Sequence, residues 1–245
     1  MNIDRSKLRT SAFQSLKEFL RKLHIYKSMG DYEEAKTAYQ TAAIFRPDLP
    51  FGVLGLSRLA LLRGDYQAAR QECKKAQEKY AGNPQPLITL AVIEFFSRNF
   101  SAAQDLYRKA CSLNRAGDVD SFGSVRFLSA LGFIQRTIEG DRTGDTLLEE
   151  ARALDEKDLS KAPDNSRCLY SLAAGYAALG NSEQTNEILE KAIAAGWIDY
   201  RSIELDPRFD SVRETPAFAR IVIQLKERIL EMRQRLPNRN VLAQK

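Results

Sequence analysis

The sequence predicts an all-α solenoid built from a repeated helix hairpin. The first observation is a segment that returns every 34 residues, as Gly30-Asp31-Tyr32, Gly64-Asp65-Tyr66 and Arg98-Asn99-Phe100. The second is a pair of alanines, seven residues apart, in three consecutive units of this length. A fixed period of this size is typical of repeat arrays, in which each unit buries its apolar face on its neighbour.

Three units follow one another without a gap and begin at Leu16, Pro50 and Pro84. The second half of each unit places small residues on one helix face, where another backbone must come close. These residues are Ala35 and Ala42, Ala69 and Ala76, and Ala103 and Ala110. The first half carries apolar residues at helical spacing, such as Leu56 and Leu59. The turn between the halves supplies a residue suited to positive φ and then a helix cap.

This pattern resembles the tetratricopeptide repeat (TPR) over residues 16–117. In that family the two alanines seat one helix against its partners, and the Gly-Asp-Tyr turn joins the two helices. Pro47 matches the proline that ends a repeat, whereas Ala81 and Arg115 replace it in the next two units. The resemblance implies a right-handed superhelical solenoid that binds proteins and has no catalytic activity.

Beyond residue 117 the repeat is less regular. The register slips at residues 116–121, and a fourth unit starts at Val125 with two glycines in its turn, Gly140 and Gly144. A fifth unit starts at Ser166. We therefore predict about five hairpins, with an N-terminal helical extension at 1–15, regular repeats at 16–117, two further repeats at 118–195 and a capping segment and tail at 196–245.

The segment from Gly196 to Phe218 looks like the closing segment that follows many bacterial TPR arrays, which implies a bacterial source. Thr215 as cap and Pro216 at the first helical position predict a last helix. Its apolar stripe runs through Phe218, Val222, Leu225, Ile229, Met232 and Leu236. The stripe is expected either to cover the last repeat as a lid or to form the coiled-coil seam of a homodimer.

The charge, the hydropathy and the cysteine content of the chain indicate which partners and which cellular location to expect. The 37 basic and 32 acidic residues give a net charge of +5, and the basic residues are spread along the chain, so nucleic acid is not expected as a partner. There is no apolar run of the roughly 18 residues that a membrane span needs, so no membrane partner is expected either. The three cysteines, Cys73, Cys111 and Cys168, are far apart, which favours reduced thiols in a cytoplasmic protein.

Catalytic chemistry is not indicated. The chain has one histidine, His24, so a metal site or a catalytic group that needs two or more histidines cannot form within it. It also has no glycine-rich loop of the kind that cradles phosphate. Four carboxylates lie close together in the closing segment: Asp199, Glu204, Asp206 and Asp210. We expect them to cap short helices and to pair with Arg201, Arg208 and Arg213 rather than to form a catalytic pair. No catalytic residue, metal or cofactor is predicted.

The resemblance implies a binding groove, because the first helix of each TPR pair lines the concave surface. The corresponding residues are Leu54, Arg58, Leu61, Ile88, Val92, Phe95, Arg126, Phe133, Arg167 and Tyr170. If these faces are open, they form an apolar trough with arginines at its far end. Such a trough suits an extended or helical peptide with apolar anchors and some acidic residues. The alternative is that the protein's own N-terminal segment or last helix fills it.

The function predicted from the sequence is that of a non-catalytic scaffold, which binds a peptide or partner segment in this groove. Two alternatives stay open. The chain could be the regulatory arm of a larger bacterial signalling enzyme, such as a kinase, or it could assemble with copies of itself through the Phe218 to Leu236 stripe.

Overall fold

A computed structural model describes residues 30–113, 125–140 and 143–235. Every element of these residues is helical, and there is no strand among them. The eleven α-helices are α1 (Tyr32–Phe45), α2 (Phe51–Leu62), α3 (Tyr66–Lys79), α4 (Gln85–Phe96), α5 (Phe100–Leu113), α6 (Phe127–Glu139), α7 (Thr143–Leu159), α8 (Ser166–Ala178), α9 (Ser182–Ala194), α10 (Tyr200–Leu205) and α11 (Pro216–Gln234). A 3-10 turn, Pro207–Phe209, lies between α10 and α11.

The chain divides into two compact units, with the boundary between Pro86 and Leu87. In the first unit α1 packs on α2, and α2 packs on α3. In the second unit each helix from α5 to α8 packs on the helix that follows it. Phe95 of α4 and Tyr107 of α5 meet edge to face, with their ring centroids 6.1 Å apart. Each unit is therefore built from helices that pack on their neighbours along the chain.

The predicted fold class is confirmed. Four of the five hairpins are present as α2 with α3, α4 with α5, α6 with α7, and α8 with α9. Helix α1 is the second helix of the first hairpin, whose first helix was predicted to begin at Leu16, outside the described residues. The hand of the superhelix and the proposed repeat boundaries stay predictions.

Most of the repeat alanines are buried. Five of the six are fully buried, namely Ala35, Ala69, Ala76, Ala103 and Ala110. Ala42, near the end of α1, is partly exposed. A larger side chain at the buried positions would push two helices apart, because protein interiors leave little spare volume.

The turns between paired helices repeat one hydrogen-bonding pattern. After α2, Gly64 has a φ of +81° and the amide of Asp65 donates to the carbonyl of Ala60 at 2.9 Å. The carboxylate of Asp65 then accepts from the amide of Ala68 at 2.9 Å, which caps α3. The glycine therefore ends one helix and the aspartate starts the next, as the sequence predicted.

Arg98 occupies this glycine position after α4. Its φ is +61°, and the amide of Asn99 donates to the carbonyl of Glu94 at 2.9 Å, so the turn has the geometry found at Gly64. It is the one residue other than glycine with positive φ among those described. Left-handed backbone costs a residue with a Cβ atom about 1–2 kcal/mol. Glycine would therefore suit the backbone at this position better than arginine does.

The two-glycine turn of the fourth unit allows α6 and α7 to touch through their backbones. A Cβ atom on Gly144 would lie 2.6 Å from the carbonyl oxygen of Gly132, and one on Gly132 would lie 2.7 Å from the carbonyl oxygen of Gly144. Neither helix has room for a methyl group there. Gly144 lies 19 positions after the start of its unit, as Ala69 does, and its close approach to Gly132 explains why it is glycine rather than alanine.

We predict that Gly144→Ala lowers the free energy of unfolding by about 1–3 kcal/mol, because the new methyl group meets backbone that must shift. Gly175→Ala in α8 is the matched control. A Cβ atom there would meet nothing within 4 Å, so alanine should stabilise the helix by about 0.5–1 kcal/mol. Urea unfolding of both variants measures the difference, and equal stability for the two would show that α6 and α7 are not in backbone contact.

The last helix, α11, covers α9 and α10. Its apolar stripe is buried at Phe218, Val222, Leu225 and Ile229, while Met232 is partly exposed. Leu236 lies outside the described residues. The stripe proposed for a dimer seam is therefore used within the chain, which fits the lid interpretation. None of the described helices has the length and apolar character needed to cross a bilayer.

All three cysteines are free thiols, of which Cys73 and Cys168 are buried and Cys111 is partly exposed. Burial, with a further contribution from the charge of Asp155, raises the pKa of the Cys168 thiol to about 12. Because the thiolate is the reactive form, Cys168 should be inert in the folded protein.

We predict that iodoacetamide at pH 8 labels Cys111 well before Cys168, as measured by peptide mass spectrometry. Labelling in urea provides the control, since all three thiols should then react at similar rates. Fast labelling of Cys168 in the native protein would contradict its burial between α7 and α8.

Candidate functional site

Most of the residues predicted to line a groove are buried. The buried ones are Leu54, Arg58, Leu61, Ile88, Val92, Phe95, Arg126 and Tyr170, whereas Phe133 is partly exposed and Arg167 is exposed. Phe133 packs edge to face on Phe95 and Phe100, with centroid separations of 5.8 and 5.7 Å. At these eight positions the side chains are closed to solvent. At Tyr170, the closing segment provides a physical reason.

Residues 206–213, here called the closing turn, lie on α6 and α8. The hydroxyl of Tyr170 in α8 donates to Asp206 Oδ2 at 2.9 Å. Arg208 Nη1 donates to Ser129 Oγ in α6 at 3.0 Å. Asp206, Arg208 and Tyr170 are all fully buried. A segment of the chain's own C-terminal part therefore covers Tyr170, which was predicted to line the groove, and Ser129 on the first helix of the fourth hairpin.

The local sequence explains the shape of this turn. Asp206 caps the 3-10 turn, because its Oδ1 accepts from the amide of Arg208 at 3.0 Å. Pro207 follows at the first helical position, where a missing N–H costs nothing. The side chain of Arg208 then returns to Asp206, with Nε at 3.0 Å from Oδ1 and Nη2 at 2.6 Å from Oδ2. The carboxylate thus serves as helix cap and as counter-ion.

The opposite charges of Asp206 and Arg208 offset each other in a fully buried site. Burial by itself lowers the pKa of the Arg208 guanidinium, but the adjacent Asp206 carboxylate outweighs this and raises it above its ordinary value. Burial, and then the charge of Asp206, raise the pKa of the Tyr170 hydroxyl well above its ordinary value. Arg208 therefore stays charged and Tyr170 stays a protonated donor.

Aromatic rings complete the contact. The ring of Trp197 stacks on Tyr170, with centroids 4.1 Å apart and an angle of 12° between the planes. The ring centroid of Phe209, in the closing turn, lies 5.7 Å from that of Tyr170 and 5.3 Å from that of Phe218 in α11. The turn is thus held between the last hairpin and the last helix.

The edge of the closing turn carries a second set of contacts, which are more exposed. Arg98 Nη2 donates to both carboxylate oxygens of Asp210, at 2.8 and 3.0 Å. The exposed fractions of these two side chains are 44% and 41%. Arg213 also donates to Asp210, at 2.9 Å, and to the carbonyl of Asp206, at 2.9 Å. Ser211 donates to the carbonyl of Ala177 at 2.7 Å.

Arg126, which was expected to face acidic residues of a ligand, is bound inside the chain. Its Nη2 lies 2.7 Å from Asp155 Oδ1 and 2.8 Å from Asp158 Oδ2. Ser171 donates to the other oxygen of Asp155 at 2.9 Å. Among the three arginines predicted for the groove, Arg167 alone is exposed.

The carboxylates of the closing segment act as predicted. Asp199 accepts from the amide of Ser202 and caps α10, while Glu204 pairs with Arg201. Within residues 30–113, 125–140 and 143–235, no group of three histidine, cysteine or acidic side chains is placed to hold a metal ion. His24 lies outside the described residues.

One surface was missed by the sequence analysis. Four large apolar side chains are exposed around the turn between α1 and α2; this α1–α2 patch consists of Ile44 (76% exposed), Phe45 (77%), Leu49 (42%) and Phe51 (40%). The next repeat has polar residues at the corresponding positions, namely Glu78, Lys79, Asn83 and Gln85. The contrast between apolar residues at these positions and polar residues in the next repeat is visible in the sequence. The repeat pattern does not show this contrast, because the pattern consists of the residues that the units have in common.

The closing turn can be tested through its buried ion pair. We predict that Arg208→Met lowers the free energy of unfolding by about 3–5 kcal/mol, since it leaves the Asp206 carboxylate buried without a counter-ion. Adding Asp206→Asn, which keeps the cap, should recover part of this loss. Urea unfolding gives both values, with Lys191→Met at the exposed Lys191 to Glu187 pair as control. A loss no larger than that of the control would contradict the burial of Arg208.

The helix hairpins and their 34-residue period define a TPR-like, all-α protein. Similar solved structures include a crystal structure of MamA, with 20% sequence identity over 69% of this chain and 91% of that chain and a TM-score of 0.37. YrrB, described as a TPR protein with an unusual peptide-binding site, has 18% identity over 80% of this chain and 95% of that chain, with a TM-score of 0.35. At these values the function must be argued from the chain itself.

A family model described as Peptidase family M49 matches residues 1–49, one fifth of the chain. The matched stretch contains the chain's single histidine, so the sequence lacks a zinc motif with two histidines such as H-E-x-x-H. No curated protein matches the sequence.

Proposed function

We propose that this protein is a non-catalytic interaction scaffold that binds a partner protein through the α1–α2 patch. The observation that carries the proposal is the exposure of Ile44, Phe45, Leu49 and Phe51 at positions where the next repeat is polar. The corresponding turn between α3 and α4 forms with polar residues at these positions. Adjacent exposed apolar residues of this size are typical of sites that bind other proteins.

The patch is held in shape before any partner arrives. The amide of Arg46 donates to Ala42 and the amide of Leu49 to Arg46, at 2.9 and 3.1 Å. Tyr80 donates to the carbonyl of Pro47 at 3.2 Å, which ties the turn to the end of α3. Binding to a surface that is already ordered costs little conformational entropy.

The chemistry of the patch favours a partner segment with apolar anchors. Beside the four apolar side chains, Arg46 and Asp48 form a bidentate pair at 2.9 and 2.7 Å. This pair leaves no strong net charge at the edge of the patch. An apolar centre with a polar edge is the usual arrangement of a protein-binding surface.

A structural role for the buried charges supports the non-catalytic part of the proposal. The Asp155 and Asp206 carboxylates form buried ion pairs with Arg126 and Arg208, so they are not available to a substrate.

The cysteines and the charge distribution bear on location and partner type. The three cysteines form no disulfide, which favours a cytoplasmic location, since oxidising compartments promote disulfides. The spread of basic residues favours protein over nucleic acid as the partner.

We predict that Ile44→Glu with Phe45→Lys, which introduces the residues of the next repeat, abolishes partner capture without unfolding the protein. Because both side chains are exposed, their replacement should change the free energy of unfolding by at most about 0.5 kcal/mol. Affinity capture from the native host, quantified by mass spectrometry, should lose its main partner with this variant.

The matched control is Ile138→Lys, which replaces an isolated exposed side chain in α6, 50% exposed, in the second unit. It should capture as much partner as the wild type. Undiminished capture by the Ile44→Glu, Phe45→Lys variant, with the melting temperature unchanged, would reject the patch as the binding surface.

A further inference from the structure

The closing turn contacts the second unit as a bound peptide would. Tyr170 is 36 positions from Asp206, and Ser129 is 79 positions from Arg208. Both contacts are made by side chains on the first helices of their hairpins, where the groove was predicted. The rest of the segment is anchored on each side, because α10 and α11 pack on each other. The helices on both sides of the turn therefore have contacts with each other as well as through the turn.

The ion pair between Arg98 and Asp210, called the outer pair below, forms although the backbone of Arg98 is strained. Gly64 and Gly180 hold the same turn position in their hairpins, with φ of +81° and +80°. Arg98 adopts φ +61° there although it carries a Cβ atom. Its guanidinium binds both oxygens of Asp210 at the exposed edge of the closing turn. Strained backbone of this kind often accompanies a functional contact.

The side chains beneath the turn determine which kind of segment fits there. It offers the Ser129 hydroxyl, the protonated Tyr170 hydroxyl and the ring of Trp197 behind Tyr170. Arg208 of the turn is paired with Asp206 from the same turn. The surface therefore fits a segment that brings its own carboxylate and guanidinium two residues apart, followed by an aromatic ring.

We propose that Ser129, Tyr170 and Trp197 form a docking site for a polypeptide turn of the Asp-Pro-Arg-Phe type, and that the closing turn occupies it as an intramolecular ligand. A partner protein that presents such a turn replaces the closing turn when the Arg98 to Asp210 pair opens. The site lies in the second unit and does not depend on the α1–α2 patch.

The test measures binding of a synthetic peptide with the sequence of residues 204–215 to the full chain by fluorescence anisotropy. Occupation by the closing turn lowers the apparent affinity of the wild type. Arg98→Gly removes the outer pair and gives the turn the residue its backbone prefers, so the protein should stay folded. We expect this variant to bind the peptide about fivefold more tightly than the wild type, as the loss of one well-formed ion pair allows.

Two controls accompany the experiment. A peptide with alanine in place of the arginine of Asp-Pro-Arg-Phe should not bind, and Lys191→Ala, which removes an exposed ion pair on α9, should bind the unaltered peptide like the wild type. The chain's single tryptophan is Trp197, so acrylamide quenching of its fluorescence reports opening of the site. Quenching should increase in Arg98→Gly and fall when peptide is added.

Asp210→Asn provides a second way to weaken the outer pair. Equal affinity of the wild type and both variants for the peptide, or no binding to any of them, overturns the proposal. Unfolding of both variants also overturns it, because the closing turn would then be a required part of the fold. Failure of the patch variants to lose their partner leaves this test unaffected.

Discussion

The buried ion pair between Asp206 and Arg208 holds the closing turn on the hairpins of the second unit. Moving two charges out of water is costly, and their mutual attraction offsets this only where the remaining hydrogen-bonding groups are also satisfied. Tyr170 of α8 and Ser129 of α6 provide those partners. Because the two helices come from different hairpins, the pair fits only when both are correctly placed. It therefore links the closing segment to the packing of the repeats.

The same pair explains why Tyr170, a residue of the predicted groove, is closed to solvent. Once Asp206 and Arg208 lie on α6 and α8, Tyr170 is inaccessible. Arg126 is likewise directed to Asp155 rather than to solvent. The first unit carries its exposed apolar surface at the turn between α1 and α2. The two units thus differ in the kind of surface that they expose.

Local features of the fold followed directly from the sequence. Gly64 and Asp65 end one helix and begin the next, because positive φ and a carboxylate cap are properties of single residues. Asp199 caps α10 for the same reason. Arg98 was recognised as occupying the glycine slot, but its partner Asp210 lies 112 positions away and could not be inferred. A contact of that range is set by packing, not by periodicity.

By itself the sequence determined the hairpins, their turns, the close-packed alanines and the pairing of acidic with basic residues in the closing segment. These depend on helix periodicity, on φ preferences and on charges near each other in the chain. The tertiary structure decided which faces are open. It placed Arg208 against Ser129, brought Gly132 and Gly144 into backbone contact, and left Phe45 exposed. Accessibility depends on which distant segment covers a residue, and a repeat pattern holds no information about that.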